Sequence, residues 1–171
     1  MKLIILTLFF MSSLTHAVIV EVSEVCSPKA YLKEDIQIFT ATTVGHLSKY
    51  VFEKFKVPFI GDEFSFQSIL HTPVNAEAIQ RISHSKIRIY GWCFEVNNIM
   101  PEAPVHTYII SANKNTHLRW YFGYAERVNH NWTEYCKPAF EATDEFICKK
   151  AEWPIYRNDE ESQEIYFHHK Q

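Results

Sequence analysis

Four cysteines behind an export-type leader are the feature that most constrains this chain. It opens on Met1 and Lys2, continues with an apolar run from Leu3 to Met11, and then reads Ser12-Ser13-Leu14-Thr15-His16-Ala17. One positive charge, a short apolar run and a small-x-small ending are the parts of a secretory signal peptide, with cleavage expected after Ala17. A membrane-spanning helix needs roughly 20 apolar residues, about twice what this run provides. Residues 1–17 are therefore read as a signal peptide, and the product as secreted or periplasmic. Cys26, Cys93, Cys136 and Cys148 all follow the leader. An even count in an oxidising compartment suggests two structural disulfides. None of the four lies in a Cys-x-x-Cys pair, which argues against thioredoxin-like redox chemistry and against zinc-ribbon spacing.

Charge narrows the function classes. The 171 residues hold 17 Lys or Arg and 20 Asp or Glu, for a formal net charge of -3. Nucleic-acid binding calls for a clustered basic surface, and none is visible, so no nucleic-acid partner is expected. Four glycines are too few for phosphate-cradling loops or a repeat architecture. At 47% hydrophobic and 22% charged residues the composition is that of an ordinary globular domain.

Local patterns supply the elements. Val18-Ile19-Val20-Glu21-Val22 is aliphatic and β-branched, which favours a strand, and a second strand over 32–40 makes a hairpin with it. Thr42 and Thr43 can cap a helix whose apolar positions Val44, Leu47, Val51 and Phe55 recur every three or four residues. Val57-Pro58 stops that helix, because the residue before proline is pushed away from helical angles. Gly61-Asp62 reads as a turn, 64–70 as a short strand or irregular segment, and 75–82 as one or two turns of helix. A strong strand follows over 86–96, with Asn97-Asn98 as its turn. Further strands are expected over 105–110, 117–126 and 132–136. The order implies an α+β domain over 18–155, built on a mostly antiparallel sheet with one main covering helix and a C-terminal extension. Residues 156–171, rich in acids, read as a polar tail. No segment after the leader is long and apolar enough to span a bilayer.

Two aromatic segments carry a family likeness. Tyr90-Gly91-Trp92-Cys93-Phe94-Glu95-Val96-Asn97-Asn98-Ile99-Met100-Pro101-Glu102 and Leu118-Arg119-Trp120-Tyr121-Phe122-Gly123-Tyr124 resemble a bacterial secreted domain of unknown function. That family has the pattern Gly-Trp-x-Tyr-x-Val-Asn-Gly followed by a Trp-x-Tyr strand, and is related to the C-terminal domain of transcobalamin and intrinsic factor. The resemblance implies a β-grasp-like fold and makes cobalamin a possible ligand. Phe94 stands where the family has Tyr, and Asn98 where it usually has Gly. The carriers also hold the corrin with a large helical domain for which this chain has no room. The aromatics of these strands account for a core, since their burial dominates core energetics. Alternation places Tyr121 and Tyr124 partly on other surfaces, and an exposed aromatic patch there would be a binding face. Trp92, Glu95, Trp120, Tyr121 and Tyr124 are accordingly the candidate ligand-binding residues, for an unknown small molecule or protein.

Catalytic constellations are missing from the sequence. It has no Gly-x-Ser-x-Gly elbow, no His-Glu-x-x-His helix and no phosphate loop, so no catalytic residue and no metal ligand is assigned. His168-His169 and Glu160-Glu161 fall in the polar tail. The leading expectation is a secreted, non-enzymatic binding module. The alternative is a secreted cysteine- or histidine-dependent enzyme or effector acting on a host, with Cys93 as its nucleophile. Asn131-Trp132-Thr133 fits a glycosylation acceptor, which matters only in a eukaryotic host.

Four cysteines allow three connectivities. In the sheet proposed here the strand bearing Cys93 lies beside the strand centred on Tyr121, and the return segment brings Cys136 back to that level. Cys93 is therefore expected to pair with Cys136, which leaves Cys26 to Cys148.

Overall fold

The computed structural model describes residues 17–142 and 146–148. The predicted tail over 156–171 and the predicted leader, apart from Ala17, lie outside the described residues. Eleven main elements follow one another. They are β1 (Ala17–Ser23), β2 (Ala30–Gln37), β3 (Thr42–Thr43), α1 (Val44–Lys54), β4 (Phe59–Asp62), β5 (Ser65–Ile69), β6 (Ile79–Arg81), β7 (Lys86–Val96), β8 (Ile109–Ile110), β9 (Thr116–Val128) and β10 (Asn131–Pro138). The described residues are mostly β, with one α-helix.

Strand β9 is the hub of the main sheet, whose order is β2-β1-β9-β7-β6. It pairs antiparallel with β7 from Leu118 to Val128, so β7 fills one edge. The other edge is divided: β1 runs parallel to β9 as far as Trp120, and β10 pairs antiparallel from Gly123 onward. The sheet is therefore mixed rather than uniformly antiparallel. The expected β1–β2 hairpin is present, with Val18 opposite Ile36 and Val22 opposite Leu32.

Alternation sorts the two faces. Val18, Val20 and Val22 of β1 share a face with Leu118 and Trp120 of β9, and α1 covers it with Val44, Leu47, Val51 and Phe52. The helix starts where Thr43 accepts a 3.2 Å hydrogen bond from the His46 amide, a side-chain N-cap that satisfies one otherwise unpaired donor. A second buried group joins Tyr90, Phe122 and Tyr124 to Ile147, and Trp92 touches both groups. Two disulfides, Cys93–Cys136 and Cys26–Cys148, have Cα separations of 5.8 and 5.6 Å. Cys148 thereby ties the C-terminal segment to the end of β1, and the pairing is the one that strand placement predicts.

Three local readings are corrected. Gly61 is not in a turn but inside β4, opposite Phe66, at a β-bulge with φ of +135°. A Cβ there would come within 2.1 Å of the Ser65 carbonyl oxygen, so the bulge requires glycine. The turn falls at Glu63-Phe64, where Asp62 Oδ1 accepts from the amides of Phe64 and Ser65. The stretch 75–82 holds one 3-10 turn, Asn75–Ala78, before β6 begins. Of 105–110 only Ile109–Ile110 is strand, because Pro104 first accepts from the amides of Thr107 and Tyr108 in a turn.

Candidate functional site

Beyond Ile89 the outer edge of β7 has no hydrogen-bonded strand partner among the described residues, since β6 pairs only with Ile87 to Ile89. A groove of about 300 Å³ opens along this stretch, walled by Phe64, Phe66, Trp92, Phe94, Met100 and the Cys93–Cys136 disulfide. Each wall has a local origin. Trp92 and Phe94 come from β7 on the helix-covered face, opposite Phe122 and Trp120. Phe64 and Phe66 come from the tight β4–β5 hairpin. Met100 follows the turn at Asn97 and Asn98, both with positive φ, and Pro101 and Pro104 stiffen the chain behind it. Phe64 is 62% exposed and Met100 46%, so two large apolar side chains stand at the rim in water.

The Trp92 ring is held in place: its Nε1 donates to Thr72 Oγ1 over 2.8 Å. Behind it Trp120 is buried and donates to Ser48 Oγ of α1 over 2.9 Å. On the far side of Phe64 lies a second hollow of about 450 Å³, between Thr42, His46, Glu63, His106 and Ile109. A 3.0 Å ion pair between Lys49 and Glu63 holds its margin.

The five sequence-predicted residues do not form one surface. Trp92 and Trp120 both line the groove, Trp92 half-buried and Trp120 fully buried. Tyr124 is in phase with Trp120 and Phe122, not out of phase, and is buried beneath the Arg88 guanidinium at 4.6 Å. Tyr121 does point to the opposite face, yet it too is buried, because the Cys136 segment arches over it and its hydroxyl donates to the Cys136 carbonyl over 3.0 Å. Burial raises the Tyr121 phenol above its ordinary pKa, and the nearby Glu95 charge adds to the shift. Glu95 also lies on this opposite face, away from the groove, and accepts from Arg119 at 3.3 Å. Phe64 and Met100 were missed, since both sit in connections whose meeting depends on the tertiary fold.

Glu95 belongs to a closed polar network. Glu21 receives Lys33 at 3.0 Å, His117 at 3.2 Å and Arg119 at 3.4 Å, while Arg119 also donates to Ser23 and Glu95. Burial alone would raise the Glu21 carboxyl, but the hydrogen bonds and charges of Lys33 and His117 outweigh it and hold the group below the usual carboxylate range. With every member paired, the network reads as a structural clasp across β2, β1, β9 and β7. All four cysteines are bridged, so Cys93 offers no thiol. Among the described residues no group of three His, Cys, Asp or Glu side chains is placed to hold a metal ion. No helix among them is long and apolar enough to cross a membrane. Comparison with protein-family models, curated proteins and solved structures finds no match for this chain.

Proposed function

We propose that the chain is an exported, non-enzymatic binding module that takes an apolar ligand in the groove beside β7. The observation that carries this reading is the exposure of Phe64 and Met100 at the rim of an aromatic-lined hollow. Large apolar side chains exposed singly are ordinary, but gathered around a concavity they mark recognition sites. Export is supported by the leader motif and by two disulfides, which persist in oxidising compartments. The cysteine-dependent alternative loses support from the bridge that consumes Cys93.

Kinship with the cobalamin-carrier C-terminal domains, and a β-grasp-like description of the fold, belong to the same proposal. Their support is the register of the two aromatic strands, Trp92 opposite Phe122 and Phe94 opposite Trp120, beneath a single helix. The groove, at about 300 Å³, lies at the low end of the range of about 300–1,000 Å³ for ligand pockets. It suits one aromatic ring or one apolar peptide side chain, whereas a corrin would rest on the rim.

The test is a binding screen of the secreted chain against apolar small molecules, displayed peptides and cobalamin, repeated with Met100→Arg. Binding that the substitution abolishes is the expected result. A hydrolytic or transfer activity removed by one polar substitution, without groove-dependent binding, would overturn the reading.

A further inference from the structure

The tip of the β9–β10 hairpin carries the chain's single Asn-x-Ser/Thr sequence, Asn131-Trp132-Thr133. Val128 pairs with Asn131, so only Asn129 and His130 form the loop, with φ of 48° and 69°. Two left-handed residues in a two-residue loop make the I′ type of hairpin turn, which places Asn131 firmly as the first residue of β10. All three residues of the sequence are exposed. Thr133 is moreover the extra residue of a bulge, since Trp132 faces Arg127 and Glu134 faces Glu126. Its backbone is out of register with β9, and its hydroxyl donates to the Glu126 carbonyl over 3.3 Å, so the finished fold holds this end of the motif against the strand.

We propose that Asn131 is an N-linked glycosylation site, used when the chain enters a eukaryotic secretory pathway. The proposal goes beyond the groove and shares with it only the export step. The donor is a polyprenyl-diphosphate-linked oligosaccharide. The side-chain amide Nδ2 of Asn131 forms a bond to the sugar's anomeric carbon and gives up one proton. The bond from that carbon to the phosphate oxygen breaks, and polyprenyl diphosphate leaves. Transfer takes place on the emerging chain, so the fold has only to accommodate the product, and an exposed hairpin tip does so.

Position also keeps the glycan away from the groove. Asn131 faces Val128, which faces Lys86, whereas the groove begins at Trp92. Six strand residues separate these levels, or about 20 Å at roughly 3.3 Å per residue. Near at hand instead are Trp132 and Tyr135, exposed, with ring centroids 6.1 Å apart. A glycan at Asn131 would shield these two rings from water.

The experiment translates the full chain in the presence of endoplasmic-reticulum microsomes and scores protease protection and endoglycosidase-sensitive mobility together. The expected result is a protected chain carrying a single-glycan shift that Asn131→Gln and Thr133→Ala abolish and Thr133→Ser keeps. A protected chain with no shift, or a shift that survives Asn131→Gln, overturns the site while leaving export intact. An unprotected chain overturns the export step, and with it this site.

Discussion

Trp92 donates from Nε1 to the hydroxyl of Thr72 over 2.8 Å, and Thr72 passes its own hydrogen to the Ile69 carbonyl over 3.0 Å. One wall of the groove is thus hung from the end of the β4–β5 hairpin. Thr72→Val keeps the shape and removes the acceptor, leaving a part-buried indole N–H unpaired at a cost of about 1–3 kcal/mol. Chemical denaturation should report that loss, and Thr72→Ser should restore most of it. An unchanged midpoint in Thr72→Val would show that water replaces the hydroxyl.

The matching contact on the helix side is wholly buried. Ser48 Oγ, inside α1, accepts from Trp120 Nε1 over 2.9 Å. Ser48→Ala should destabilise by about 1–3 kcal/mol, since no solvent reaches the orphaned donor. The check is the denaturant midpoint, with the exposed Ser85→Ala expected to change it by less than about 0.5 kcal/mol.

Acid should weaken the fold through two carboxylates. Glu126 is held by Lys86 at 3.0 Å and Arg88 at 2.8 Å, and these partners outweigh burial to lower its pKa, as Lys33 and His117 do for Glu21. A carboxyl whose folded-state pKa is depressed contributes stability above its unfolded value, and that contribution is lost as pH falls through the folded value. The loss is therefore expected below about pH 4, the ordinary carboxylate range. Thermal unfolding followed across this window should show it, and Glu21→Gln should flatten the acid limb while lowering stability near neutrality.

The two disulfides should separate by role. In the chain-entropy account the Cys26–Cys148 bridge, spanning 122 residues, outweighs the Cys93–Cys136 bridge, spanning 43, by about 1 kcal/mol. Replacing both cysteines of either pair by Ser should cost about 2–5 kcal/mol. Only loss of Cys93–Cys136 should alter the groove, because that bridge forms its wall. Unfolding and probe binding measured on the two double variants decide the point.

Much of the scaffold is legible in local chemistry. The cap at Thr43, the spacing of Val44, Leu47 and Val51, and the β-branched run of β1 each specify their element without help from the rest of the chain. The parallel docking of β1 on β9 is not legible, because it joins segments about a hundred residues apart and no local signal marks the direction. Gly61 misleads for a physical reason: a glycine at positive φ serves a bulge as readily as a turn. Tyr121 misleads for another. Its facing follows from alternation, but its burial comes from the Cys136 arch, which only the tertiary fold supplies. The groove fails to show in sequence on the same ground, since Phe64 and Met100 meet Trp92 through loop placement rather than spacing.

The most direct test of the binding account is an NMR titration of the folded chain with indole and with N-acetyl-phenylalanine amide as apolar probes. The predicted result is saturable shifts centred on the Trp92 Nε1–H, Cys93, Phe94 and the Met100 methyl group, lost in Met100→Arg. Shifts confined to the exposed Trp132 and Tyr135, or no shifts at millimolar probe, would contradict it.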